Sequence, residues 1–244
     1  MNFSREVAAL RVKLTAMGTP ARATKAKSYL KSELTFLGVD AKGIRQAAKD
    51  FCAAFPEVGR AQLTAFVKAL WKTGIYEHRA VGIAILELRR TLLEPADLPI
   101  LEELLRDSHT WALVDWLAVH VVGDLVTRNK RLTKDLERWA KDKDFWLRRS
   151  ALLALLLPLR AGKGDLALFE RLAVPMFGDT EFFIRKAIGW VLREAGKKQG
   201  KAVLAFLDRH GDAMSPLSRK EAARNLAGAD DDEQELDGED DSGA

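Results

Sequence analysis

Phe145-Trp-Leu-Arg-Arg-Ser-Ala151 sets the register in which the whole chain is read. Trp111 stands 35 residues before Trp146 and Tyr76 another 35 before that, while Phe183 follows 37 after and Leu217 a further 34. A recurring distance of this size is close to that of two-helix solenoid repeats, in which each repeat buries its apolar face only against its neighbours. Three residues beyond each member of this column lies a second one, Arg79, Val114, Arg149, Lys186 and Lys220, basic at four positions of five. The residue before it is often cationic too, giving His78-Arg79, Arg148-Arg149, Arg185-Lys186 and Arg219-Lys220. Equivalent positions of a solenoid line up, so these dyads are expected to form a positive stripe that tracks a phosphate backbone.

Outward from that stretch, apolar residues recur at three and four, and strand signals are nearly absent. Turn chemistry separates the periodic segments, as in Pro95-Ala-Asp97, Gly162-Lys-Gly-Asp165 and Gly211-Asp-Ala-Met-Ser-Pro216. The expected fold is all-α, an α-α superhelix of antiparallel helix pairs with a concave basic groove. Helices are expected near 4–16, 22–36, 40–54, 59–72, 75–91, 97–106, 110–128, 132–141, 144–159, 165–175, 180–198, 201–210 and 216–227. Residues 1–228 read as one helical repeat domain and 229–244 as an acidic, disordered C-terminal tail.

Charge supports a polyanion partner. The formal net charge is +4, yet nine of the 35 acids lie between Asp230 and Asp241; the rest of the chain carries 39 basic against 26 acidic side chains, a balance of +13. No apolar run reaches the roughly 18 residues that span a bilayer, and the first residues lack the apolar core of a secretory signal, so no membrane partner is expected. The lone cysteine, Cys52, allows no internal disulfide and no cysteine cluster for a metal; it fits a reducing cytoplasm and reads as a buried structural thiol.

One repeat breaks the pattern. Val114 replaces the column cation and Asp115 follows it, where the other repeats carry Ala80, Ser150, Ala187 and Glu221. Trp111 and Asp115 are four apart and share a helical face. Trp190 interrupts a further column of Ile83, Ala118, Leu153 and Arg224, on the face that carries Lys186. Either tryptophan alone reads equally well as core. Together with a lone carboxylate they suit one chemistry: indole faces attract a cationic alkylated purine by about 0.5–2 kcal/mol each, and the carboxylate stabilises the positive charge left on the sugar when that base departs.

Lys186-Ala-Ile-Gly-Trp-Val-Leu-Arg-Glu194 and Pro216-Leu-Ser-Arg-Lys-Glu-Ala222 resemble the C-terminal signature of the AlkD-type DNA alkylation repair glycosylases, HEAT-like repeat proteins. The likeness continues through Phe145–Ala151, Trp111-Ala-Leu-Val-Asp115, Gly123-Asp124 and, more loosely, Phe36-Leu-Gly-Val39. It implies that Trp111, Trp190 and Asp115 form a lesion-facing cleft, that Arg149 contacts the DNA backbone beside it, and that Tyr29, in Ala26-Lys-Ser-Tyr-Leu-Lys31, is the family's N-terminal aromatic. The implied activity is monofunctional excision of N3- and N7-alkylated purines from duplex DNA, without metal or cofactor. A groove within one chain needs no partner subunit, so a monomer working at the nucleoid is expected.

Other signals carry less. Trp71, Trp116, Trp139 and Trp146 fall on apolar helical faces and read as core. His109, His120 and His210 share no ligand spacing, so no metal is expected. Asp124 and Glu194 read as structural caps or pairs. Two other functions fit the same scaffold: a non-catalytic binder of DNA structure and a protein-interaction solenoid.

Overall fold

The computed structural model describes residues 3–226; the acidic segment 229–244 lies outside the described residues. Every regular element among them is helical, so the chain is all-α as expected, with one isolated parallel bridge between Thr35 and Ile75. Contacts divide the described residues into two compact units, one up to Leu132 and one from Thr133 on.

The first unit holds α1 (Phe3–Met17), α2 (Pro20–Leu30), α3 (Ala41–Ala54), α4 (Arg60–Trp71), α5 (Tyr76–Leu88), α6 (Leu98–Arg106), α7 (Trp111–Trp116), a π-helical stretch (Leu117–Val122) and α8 (Gly123–Arg128). α2 starts earlier and ends earlier than its apolar pattern suggests. Pro20 occupies the first turn behind the Thr19 cap, and Lys31 closes the helix in the left-handed region at φ 47°. The segment after it, up to Val39, is held from outside: the buried Glu77 carboxylate accepts the backbone N–H groups of Leu37 (2.9 Å), Gly38 (2.7 Å) and Val39 (3.3 Å). Gly38 is required there, because its φ is +79° and a Cβ would lie 2.1 Å from the Thr19 carbonyl oxygen. α5 is the axis of this unit, buried from Glu77 to Leu86. Phe66 of α4 is fully buried and stacks on Phe51 of α3 at 4.4 Å.

The second unit holds α9 (Thr133–Trp139), α10 (Phe145–Leu153), α11 (Leu156–Arg160), α12 (Leu166–Ala173), α13 (Phe182–His210) and α14 (Pro216–Ala222). The expected helix over 144–159 is broken between α10 and α11. Pro158 has no N–H for the Ala154 carbonyl four residues back, and its ring crowds that carbonyl, so the chain tightens into turns at Ala154 and Leu155. The break expected near residue 199 is a kink inside α13, where Gln199 leaves helical geometry (φ −131°, ψ 41°) and its amide donates to the Leu159 carbonyl. Trp139, Phe169 and Phe206 are fully buried here.

The column that opened the reading marks helix starts. Tyr76 and Trp111 are the first residues of α5 and α7; Trp146, Phe183 and Leu217 are the second residues of α10, α13 and α14.

Candidate active site

In the first unit, the end of α2 and the start of α7 meet through aromatic rings. Tyr29 is 70% exposed, and its ring stands edge-on to Trp111 with centroids 5.8 Å apart and planes at 80°. Trp111 opens α7 after two residues of irregular backbone, His109 at φ +54° and the extended Thr110. The Thr110 hydroxyl is buried without a hydrogen-bond partner. Asp115 follows Trp111 by one helical turn, and both are half-buried, so indole and carboxylate share a face as their spacing predicts. Directly after Trp116 the helix widens into the π-helical stretch. Such a stretch misaligns one turn against the next and is common beside functional sites; no residue pattern announced it.

Trp116 is not the core residue expected. It is half-buried and donates its indole N–H to Glu87 Oε2 at 2.7 Å, while the Arg45 guanidinium lies 4.9 Å from its ring centroid. His120 Nδ1 sits 3.2 Å from Glu87 Oε1, and Arg45 completes the group at 3.7 Å. The hydrogen bond from His120, then that from Trp116, holds the Glu87 carboxyl below its ordinary pKa against the opposing effect of burial. This clamp fastens the helix of Asp115 to α5 and α3. Sequence reasoning missed it because Glu87 stands 29 to 42 positions from each of its partners.

In the second unit, Trp190 lies half-buried in α13, and Lys186, one turn earlier, donates to Glu221 of α14. Arg193 also binds Glu221, and Arg224 lies 3.9 Å away. Burial alone would raise the Glu221 pKa, but the Lys186 hydrogen bond and the charges of Arg193, Lys186 and Arg224 outweigh it and leave the carboxyl below its usual range. α14 can approach this closely because residue 189 is glycine: a Cβ there would meet Ser218 O and Glu221 Cβ at 2.6 Å. Glu194 pairs with Arg160, Arg193 and Lys197, the structural role expected of it. Trp146 is half-buried rather than core, packed on Phe145 (4.2 Å) and Phe183 (5.1 Å).

Burial varies along the expected cationic stripe. Arg79 is 4% exposed and Arg149 is 3% exposed. Arg79 spends its N–H groups on the Trp71 carbonyl, the Asp107 carbonyl and the Asp107 carboxylate (3.0 Å); Arg149 donates to the Phe183 carbonyl, with its guanidinium 5.7 Å from that ring. Each of these two cations reaches from its own helix toward the next repeat and ties the two together. His78 is fully buried. Arg148 and Arg185 are half-buried and converge on Asp179, Arg148 on its carboxylate at 2.9 Å and Arg185 on its carbonyl at 2.8 Å. Arg219 and Lys220 are exposed, Arg219 lying 3.8 Å from Asp212. Among the described residues, no group of three or more His, Cys, Asp or Glu could hold a metal ion, and no helix is long and apolar enough to cross a membrane.

Comparison with known proteins gives these features a family. Two solved structures share the fold: a predicted DNA alkylation repair enzyme from Enterococcus faecalis (TM-score 0.78, 22% identity, covering 86% of this chain and 97% of that one) and AlkD2 from Streptococcus mutans (TM-score 0.67, 15% identity, covering 92% and 99%). No curated protein matches at a significant level. The sequence model of the DNA alkylation repair enzymes matches residues 10–226, nearly the whole described chain. The chain therefore belongs to the DNA alkylation repair enzyme family.

Proposed function

We propose that this family member is a monofunctional glycosylase that hydrolyses the N-glycosidic bond of cationic N3- and N7-alkylated purines in duplex DNA. The observation that carries the reading is the corner formed by Tyr29 and Trp111, with the Asp115 carboxylate one turn further on the same face. Aromatic faces attract a base that already bears positive charge. As the C1′–N bond breaks, its electron pair neutralises the purine, which leaves without needing a proton. Positive charge then develops on the deoxyribose, where a carboxylate stabilises it and orients a water; the water adds its oxygen to C1′ and gives up a proton. Trp190, half-buried in α13, offers an indole face of the same chemistry. Arg148, Arg185, Lys186, Arg219 and Lys220 supply the charge that meets duplex phosphates, with Arg219 and Lys220 the most accessible. The protein works as a monomer, at the nucleoid of the cytoplasm, where such duplex is found.

Incubation with methylated genomic DNA and chromatography of the released bases tests the reading. Free 3-methyladenine or 7-methylguanine above a no-protein control is expected. Asp115→Asn should reduce release by about 10²–10³-fold, the size of effect seen when one charge-stabilising group is removed, and should leave duplex binding intact. Duplex binding with no base release would instead identify a non-catalytic reader of DNA structure.

A further inference from the structure

A pocket of about 520 Å³ lies beside α1, the end of α4 and the start of α5, and shares no lining residue with Tyr29, Trp111 or Asp115. Its walls are apolar at Phe3, Val7, Ala8, Ala69 and Ile75. Its polar contributors are Ser4, Arg11, Lys72, Thr73 and His78, with no acid among them. Arg11 and Lys72 are exposed, and neither makes an ion pair among the described residues. His78 is fully buried, yet neither ring nitrogen has a hydrogen-bond partner. Leaving a buried polar atom unpaired costs about 1–3 kcal/mol, and His78 carries that cost at the wall of this pocket. α5 begins at the same place; its first N–H, that of Tyr76, donates to the Thr35 carbonyl at 2.9 Å, and Glu77 in its first turn is turned to the backbone N–H groups of Leu37, Gly38 and Val39. Thr73 is not available, because its hydroxyl donates to the Leu70 carbonyl and accepts from Ile75 N–H.

We propose that this pocket binds a small organic anion, a phosphate monoester or carboxylate on an apolar body. The anionic oxygens lie toward Arg11 and Lys72, and the body lies on Phe3, Val7 and Ile75. Burial, reinforced by the Arg11 charge, lowers the His78 pKa to about 4, so the ring is neutral and offers one donor and one acceptor. The volume falls within the range of about 300–1,000 Å³ typical of small-molecule pockets.

The test uses the full chain, with phenyl phosphate, benzoate, phenol and inorganic phosphate as probes. Binding is followed by calorimetry and by the imidazole resonances of the four histidines, of which His78 is assigned by its loss in His78→Phe. Saturable binding of phenyl phosphate or benzoate that moves the His78 signal is expected, with phenol and inorganic phosphate weaker. Because Arg11 and Lys72 are exposed, the double variant Arg11→Gln, Lys72→Gln should keep its melting temperature and lose affinity about tenfold, a difference of about 1.4 kcal/mol. Absence of saturation by both organic anions up to about 10 mM, or an affinity unchanged in the double variant, overturns the proposal. Displacement of phenyl phosphate by undamaged duplex at equal phosphate concentration also overturns it, since the site would then be part of the nucleic-acid surface.

Discussion

Replacing Glu77 by glutamine changes one atom in a buried site, 1% exposed, that organises the chain between α2 and α3. The native carboxylate accepts Gly38 N–H and Val39 N–H at Oε1 and Leu37 N–H at Oε2. Hydrogen bonds to a charged acceptor contribute about 1.5–3 kcal/mol each and neutral ones about 1. The glutamine carbonyl can keep the pair at Gly38 and Val39 in weakened form, but its NH2 then faces the Leu37 N–H, donor against donor. Weakening two bonds and orphaning one buried N–H amounts to a loss of about 3 kcal/mol, equivalent to a fall of roughly 6–12 °C in melting temperature for a chain of this size. α2 carries Tyr29, so the aromatic corner should loosen as well, and base release should fall while Asp115 is untouched. Urea denaturation of wild type, Glu77→Gln and Glu77→Ala, read by circular dichroism, measures the cost, and excision by the same samples measures the functional consequence. A loss under about 1 kcal/mol in Glu77→Gln would refute the claim that the three N–H groups depend on the carboxylate's charge.

Alanine at Arg219 or Lys220 should weaken duplex binding about equally for damaged and undamaged DNA and lower the salt dependence by about one unit each, while Arg79→Ala should chiefly lower stability; fluorescence anisotropy across a salt series separates the two. Gly189→Ala forces a Cβ to 2.6 Å from Ser218 O and Glu221 Cβ, so a loss of about 1–3 kcal/mol is expected in urea denaturation. The Glu87 carboxyl titrates lower in the folded chain than unfolded, so its stabilising effect is fully present above the unfolded value of 4.5 and fades as pH falls through the lower folded value. Melting temperatures between pH 6 and pH 3 should therefore fall less steeply in Glu87→Gln than in wild type.

The sequence alone determined that the chain is helical, where its repeats begin and which residues share a turn. These properties are local or periodic: Tyr76, Trp111, Trp146, Phe183 and Leu217 each stand first or second in a helix, and Trp111 and Asp115 stand one turn apart whatever surrounds them. The likeness that singled out Tyr29 rested on a short, loose match, and the edge-on ring contact with Trp111 came only from the fold. The direction in which each column cation points was likewise a tertiary decision. Arg79 and Lys220 occupy the same column, yet one is buried and the other exposed, because Arg79 finds carbonyl and carboxylate acceptors at Trp71 and Asp107. An arginine is drawn inward only where such acceptors offset its desolvation, and acceptors supplied by the next repeat, 28 to 35 residues away, leave no mark on the pattern around the arginine itself.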